Sequence, residues 1–174
     1  QENDYGKVLV YKWTNDSWVQ KGSVIRVNRH ADRLGWHLAI SDDGNRVLVS
    51  ANLSGTKVYE YENNDWAQMG GLLYNVNNLI STYGDVDMNA DGTIVVVGDS
   101  YKTGTSPSYN GYIIVYKWDS SAWQPYGSPI TGAVQDSRFG HKVKLNAVGN
   151  ILAVSGANNN SANQNIHSSG ETKI

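Results

Sequence analysis

The residues best suited to chemistry form a run of alternating oxygen donors, Asp87-Met88-Asn89-Ala90-Asp91-Gly92. On an extended loop alternate side chains point the same way, so Asp87, Asn89 and Asp91 could turn several hard oxygens toward one calcium ion. The same residues also spell an Asp-Gly turn, which needs no metal. Four histidines, His30, His37, His141 and His167, show no metal-ligand spacing, and solvated or packing roles are expected for them. No serine sits in a nucleophile-elbow pattern. Asp42-Asp43 has the composition of an acid and base pair, but at an exposed hairpin turn both carboxyls would keep ordinary pKa values, so catalysis is not expected there. The chain has no cysteine, which removes thiol nucleophiles, disulfides and cysteine-ligated metals. No catalytic residue is expected, and no cofactor other than the candidate calcium ion.

The elements that would position these residues recur along the chain. Val10-Tyr11-Lys12-Trp13 returns as Val58-Tyr59-Glu60-Tyr61 and as Val115-Tyr116-Lys117-Trp118. A second aromatic element follows each: Trp18-Val19-Gln20-Lys21-Gly22, Trp66-Ala67-Gln68-Met69-Gly70 and Trp123-Gln124-Pro125-Tyr126-Gly127. A third opens at Leu34-Gly35, Tyr83-Gly84 and Phe139-Gly140. A period of about fifty residues marks a repeat architecture whose units share a core. Short runs rich in Val, Tyr, Ile and Thr, broken by polar turns, read as all-β. Hairpin turns are expected at 14–17, 62–65 and 119–122, and again at 41–45, 89–93 and 146–150. The expected fold is therefore all-β, built of consecutive four-stranded antiparallel blades of a partial β-propeller. Its strands, A to D, divide into a half-blade at 1–33 (C, D), blades at 34–82 and 83–138, and a half-blade at 139–174 (A, B and the start of C). One propeller domain, cut from a longer chain, is expected. The recurring Trp and Tyr are expected in the core between blades.

Phe139-Gly140, followed by Ser155-Gly156-Ala157-Asn158, resembles the FG-GAP repeat of integrin-type β-propellers. Leu34-Gly35 with Ser50-Ala51-Asn52, and Tyr83-Gly84 with Gly98-Asp99-Ser100, take the same places. The Gly-x-x-x-Val-Tyr-x-Trp strand is similar to the one after "GAP" in that family. The resemblance implies a propeller that carries calcium in its A–B hairpins, although this chain has Val95 where the family places a further acidic ligand.

Net charge is -2, so the chain offers no electrostatic footprint for nucleic acid, and no apolar run is long enough to insert in a membrane. Sequons at Asn15, Asn52 and Asn159 favour an extracellular or cell-surface glycoprotein. The B–C connection lengthens from Val49–Gly55 through Val97–Gly111 to Val154–Gly170. Insertions in repeat proteins gather on one face. Tyr101, Ser106, Tyr109, Asn110, Asn158, Asn160, Asn163 and Asn165 are thus the expected binding-loop residues. The expected function is a non-enzymatic structural or adhesive module that binds protein or glycan, its open terminal strands completed either by flanking repeats of the same polypeptide or by self-assembly with a neighbouring chain. The alternative is a non-catalytic part of a larger propeller hydrolase or lyase.

Overall fold

The computed structural model describes residues 6–27, 33–51, 54–73, 83–100, 110–133, 137–156 and 171–173. Among them every helix or strand is a strand, and all strand pairs within sheets are antiparallel. The first unit holds β1 (Lys7–Val8), β2 (Tyr11–Thr14), β3 (Ser17–Gln20) and β4 (Ile25–Arg26). The second is a four-stranded meander of β5 (Leu38–Ile40), β6 (Arg46–Ala51), β7 (Gly55–Glu62) and β8 (Asp65–Gln68). The third repeats it with β9 (Val86–Met88), β10 (Ile94–Asp99), β11 (Tyr112–Trp118) and β12 (Trp123–Pro125), and adds β13 (Ile130–Thr131) beside β11. The fourth holds β14 (Phe139–Leu145), β15 (Leu152–Gly156) and β16 (Glu171–Lys173).

The turns obey local chemistry. Asn15-Asp16 and Asn63-Asn64 all have φ between 49° and 65°. Two successive left-handed residues make a type I′ hairpin, which Asn and Asp tolerate best. At the other end of each sheet the turn glycine donates its N–H back across the turn, Gly44 to Ser41, Gly92 to Asn89 and Gly149 to Asn146. The side chains of Ser41, Asn89 and Asn146 then accept from the backbone N–H of Arg46, Ile94 and Ile151 at 2.9–3.0 Å.

Alternation along the strands decides the packing. Val47 and Val49 join one core cluster with the first unit's Val8, Val10 and Ile25, whereas Leu48 faces the third unit with Val58, Val86 and Val95. Likewise Val95 and Val97 face the second unit, while Val96 packs with Phe139, Val143 and Val154 of the fourth. Successive strand residues point to opposite faces, so an unbroken apolar run means a sheet buried on both sides. Full burial of each such side chain contributes roughly 1.5–3 kcal/mol.

The first unit departs from the expectation of a shared aromatic core. Trp13 and Trp18 are 54% and 66% exposed, whereas Trp123 is 9% exposed. Trp66 and Trp123 have a preceding sheet to lie on, and no described sheet covers Trp13 and Trp18.

Candidate functional site

The first strands of the last three units, β5, β9 and β14, lie side by side. At one end their turns are linked in a row, Asp42 N–H donating to Ala90 O at 2.8 Å and Ala90 N–H to Ala147 O at 3.0 Å. The opposite end carries charge. Counted back from Gly44, Gly92 and Gly149, the residues His37, Asp85 and Lys142 occupy one register. The structure brings them together: His37 Nδ1–H donates to Asp85 Oδ1 at 3.1 Å, and Lys142 Nζ stands 3.4 Å from Asp85 Oδ2.

Backbone geometry sets this row. Arg33 and Arg138, at φ 50° and 51°, precede matching turns in which Trp36 N–H and His141 N–H donate to the Arg carbonyls at 3.1 Å. Left-handed conformations in bulky residues are costly and tend to persist where the surroundings fix them. Between these turns three glycines let the main chains touch. A Cβ on Gly84 would lie 2.5 Å from both Gly140 O and Gly98 C, and Asp85 N–H donates to Gly140 O at 3.1 Å. Only glycine permits that approach. Ser50 Oγ fixes the neighbouring strand by accepting from His37 N–H at 3.0 Å.

Asp85 is buried, at 8% exposure. Burial pushes its carboxyl up, but the His37 hydrogen bond, the Lys142 ammonium and the Val86 N–H outweigh it and hold the group down at about 2. His141 belongs to the same group: burial lowers its pKa, and Lys142 and Arg138 lower it further, against the pull of Asp85. Trp36, half exposed, holds the Arg33 guanidinium 4.9 Å from its ring centre. Lys142 is thus the ammonium that faces this carboxylate, while Arg138 acts on His141 and Arg33 lies over the Trp36 ring. An Asp-bound Nδ1–H leaves the Nε2 of neutral His37 as the acceptor, which is the arrangement of an oriented general base.

The calcium candidates serve other ends. Asp87 Oδ1 accepts from Lys144 Nζ at 2.9 Å and its Oδ2 from Leu145 N–H at 2.8 Å. A lysine ammonium therefore stands where a cation would bind. Asn89 caps its turn, and Asp91 Oδ1 accepts from Thr93 N–H and Oγ1–H at 2.8 and 2.6 Å. Among the described residues no group of three or more His, Asp or Glu converges for a metal. Asp42 and Asp43 line an open cleft of about 550 Å³ with Arg46, Glu60 and Asp91. The expectation of ordinary pKa values at this turn needs correcting for Asp43. Hydrogen bonds from Ser41 and Asn45 hold its carboxyl below the usual range, so it is a turn cap and a poor proton donor.

Asn15 sits exposed at its hairpin tip. Asn110 is a junction residue whose carbonyl accepts from Phe139 N–H and Ser137 Oγ–H, both at 2.9 Å. Tyr101, Ser106, Tyr109, Asn158, Asn160, Asn163, Asn165, the sequons at Asn52 and Asn159, His30 and His167 lie outside the described residues. Sequence reasoning missed the His37–Asp85–Lys142 row, although alignment on the turn glycines would have found it.

No protein-family model and no curated protein matches this sequence. Among solved structures the fold is similar to that of a candidate 6-phosphogluconolactonase from Bacteroides uniformis, with a TM-score of 0.60 and 12% identity. The match covers 91% of this chain and 46% of that one, so the chain spans a little under half of its length. At this identity the likeness is one of fold. It overturns the expectation of a non-enzymatic module, because the fold is shared with a candidate enzyme.

Proposed function

We propose that the four units are consecutive blades of a β-propeller, and that the His37–Asp85–Lys142 row is the hydrolytic centre of a propeller enzyme acting on a small anionic ester or lactone. The carrying observation is Asp85, bridged between an imidazole and an ammonium at 3.1 and 3.4 Å. His37 Nε2 takes a proton from water, and the hydroxide attacks the carbonyl carbon. The ring C–O bond breaks, and the imidazolium returns its proton to the departing alkoxide. Lys142 and Arg138 attract the substrate's anionic group, for which a phosphate is the natural partner. The candidate 6-phosphogluconolactonase of similar fold supports that substrate class. The test is hydrolysis of 6-phosphogluconolactone followed by pH-stat. His37→Ala should lower kcat at least a hundredfold, and Lys142→Met should mainly raise KM. Turnover by the unaltered chain no faster than the buffer rate would sink the proposal.

A second reading, an extracellular structural or adhesive module binding protein or glycan, has one observation in its favour. Trp13 and Trp18 stand exposed on the first unit, as contact aromatics do. Surface display of the native protein, tested with an antibody against this chain on intact cells, decides the location.

A further inference from the structure

Lys142 reaches Asp85 from the least regular part of its strand. β14 pairs with β15 as Phe139 with Gly156 and then Lys142 with Ser155, so three steps on one strand meet one on the other. The excess residues, Gly140 and His141, form a bulge, with Gly140 at φ 88°. A bulge breaks the ladder locally and re-aims the side chain beside it, and bulges gather next to active sites. Beyond it, Lys142 to Leu145 pair regularly with Leu152 to Ser155 and move with them. Asp85 belongs to another sheet. A slide of this segment along β9 by one residue is roughly 3.3 Å, as large as the present 3.4 Å between Lys142 Nζ and Asp85 Oδ2.

Two hydrogen bonds from β14 to β9 lie on either side of Lys142. Gly140 O accepts from Asp85 N–H at 3.1 Å, but the bulge separates that tie from Lys142. The other tie is on Lys142's own regular segment. Asp87 Oδ2 accepts from Leu145 N–H at 2.8 Å, and Asp87 Oδ1 accepts from Lys144 Nζ at 2.9 Å. This second tie is not part of the repeat. Strand pairing places Ala39, Asp87 and Lys144 at one register in successive units. β5 lies against β9 with Ala39 packed on the core, so two inner strands are held together there without a carboxylate. Asp87 is 7% exposed, a depth at which a charge is costly unless its oxygens are met. Among the described units, that cost is borne at the junction where a lysine meets Asp85.

We infer that Asp87 is a positioning residue of the hydrolytic centre: it sets β14 against β9 beyond the bulge, so that Lys142 stands over Asp85 and presents its ammonium to the substrate's anionic group. The inference rests on the hydrolytic reading for its role in substrate binding. Its structural core, that Asp87 holds Lys142 on Asp85, is testable without that reading.

Titration of the Asp85 carboxyl by carbon-13 NMR in the 174-residue chain, with Asp85→Asn for assignment, tests that core without any turnover. Asp87→Asn removes a neighbouring negative charge, which alone would lower the Asp85 pKa. Loss of Lys142 acts in the opposite direction. A rise from about 2 towards 3.8 is therefore expected, and an unchanged or lowered value overturns the inference. Asp87→Ala, which matches Ala39 of the second unit, serves if Asp87→Asn fails to fold. In hydrolysis of 6-phosphogluconolactone, Asp87→Asn and Lys142→Met should each raise KM roughly tenfold, as loss of a charged hydrogen bond does, with kcat nearly unchanged. The double variant should be no worse than Lys142→Met alone. Effects that multiply in the double variant would make Asp87 independent of Lys142 and also overturn the inference. If the unaltered chain does not turn over the lactone, the hydrolytic reading fails, and the Asp85 titration still decides whether Asp87 places Lys142.

Discussion

Asp85 shows how one buried carboxylate can be both a structural and a chemical group. Its folded pKa of about 2 lies below the ordinary 3.8, so ionised Asp85 stabilises the fold. That stabilisation is complete above about pH 5 and is lost as the pH falls towards 2. The gap corresponds to about 2 kcal/mol. Asp85→Asn should therefore lower the urea-unfolding free energy by about that amount at pH 7, and its curve should converge with the unaltered chain's near pH 2. A constant difference across the range would mean that Asp85 acts through shape alone. The individual histidines were unreadable in the sequence because a lone His carries no partner information. His37 acquires its role only when β5 and β9 lie side by side. Lys144 teaches the same lesson for calcium, since the Asp87 carboxylate looked free until a lysine of another unit arrived 2.9 Å away. Adding millimolar calcium should leave the melting temperature unchanged in differential scanning calorimetry, and a rise on adding the ion would restore the metal reading.

Among the elements, the strands and turns were legible because their signals are local. Period-two alternation fixed Val47, Leu48 and Val49, and Asn-Asp or Asp-Gly pairs fixed the hairpins. What escaped was the interruption of the outer strand, where β12 and β13 both pair with β11 across the left-handed Gly127. That break follows from twist and neighbour packing, which a single strand's pattern does not record. The glycine contact between units was equally hidden. Gly84→Ala would drive a methyl group into the Gly140 carbonyl and the Gly98 backbone, so a loss of about 3 kcal/mol is expected in thermal or urea melts. The indole contacts give a paired comparison. Trp123→Phe removes a buried hydrogen bond to Met69 and should cost about 1 kcal/mol. Trp18→Phe, on an exposed ring, should leave the stability unaltered.

For the whole molecule, the sequence disclosed repetition but not how the repeats use it. Asp85 sits in the register shared by His37 and Lys142, so equal positions in successive units carry a base, an acid and a base. Repetition supplies the scaffold, and divergence at one register supplies the chemistry. The same stacking grades the protection of the backbone. β9–β12 are flanked on both faces by described sheets, whereas among the described residues no sheet covers the outward face of β2 and β3. Opening the first unit uncovers one core cluster, but opening the third disrupts two. Amide protons at Val95, Val96 and Val97 should therefore exchange with solvent slowest, near the rate set by global unfolding, and those of Tyr11 to Gln20 fastest among the strands. Unfolding then proceeds as fraying from the edge inward, as in a one-dimensional array. Oxidative modification would follow the same gradient, with the Trp13 and Trp18 indoles reacting well before Trp123.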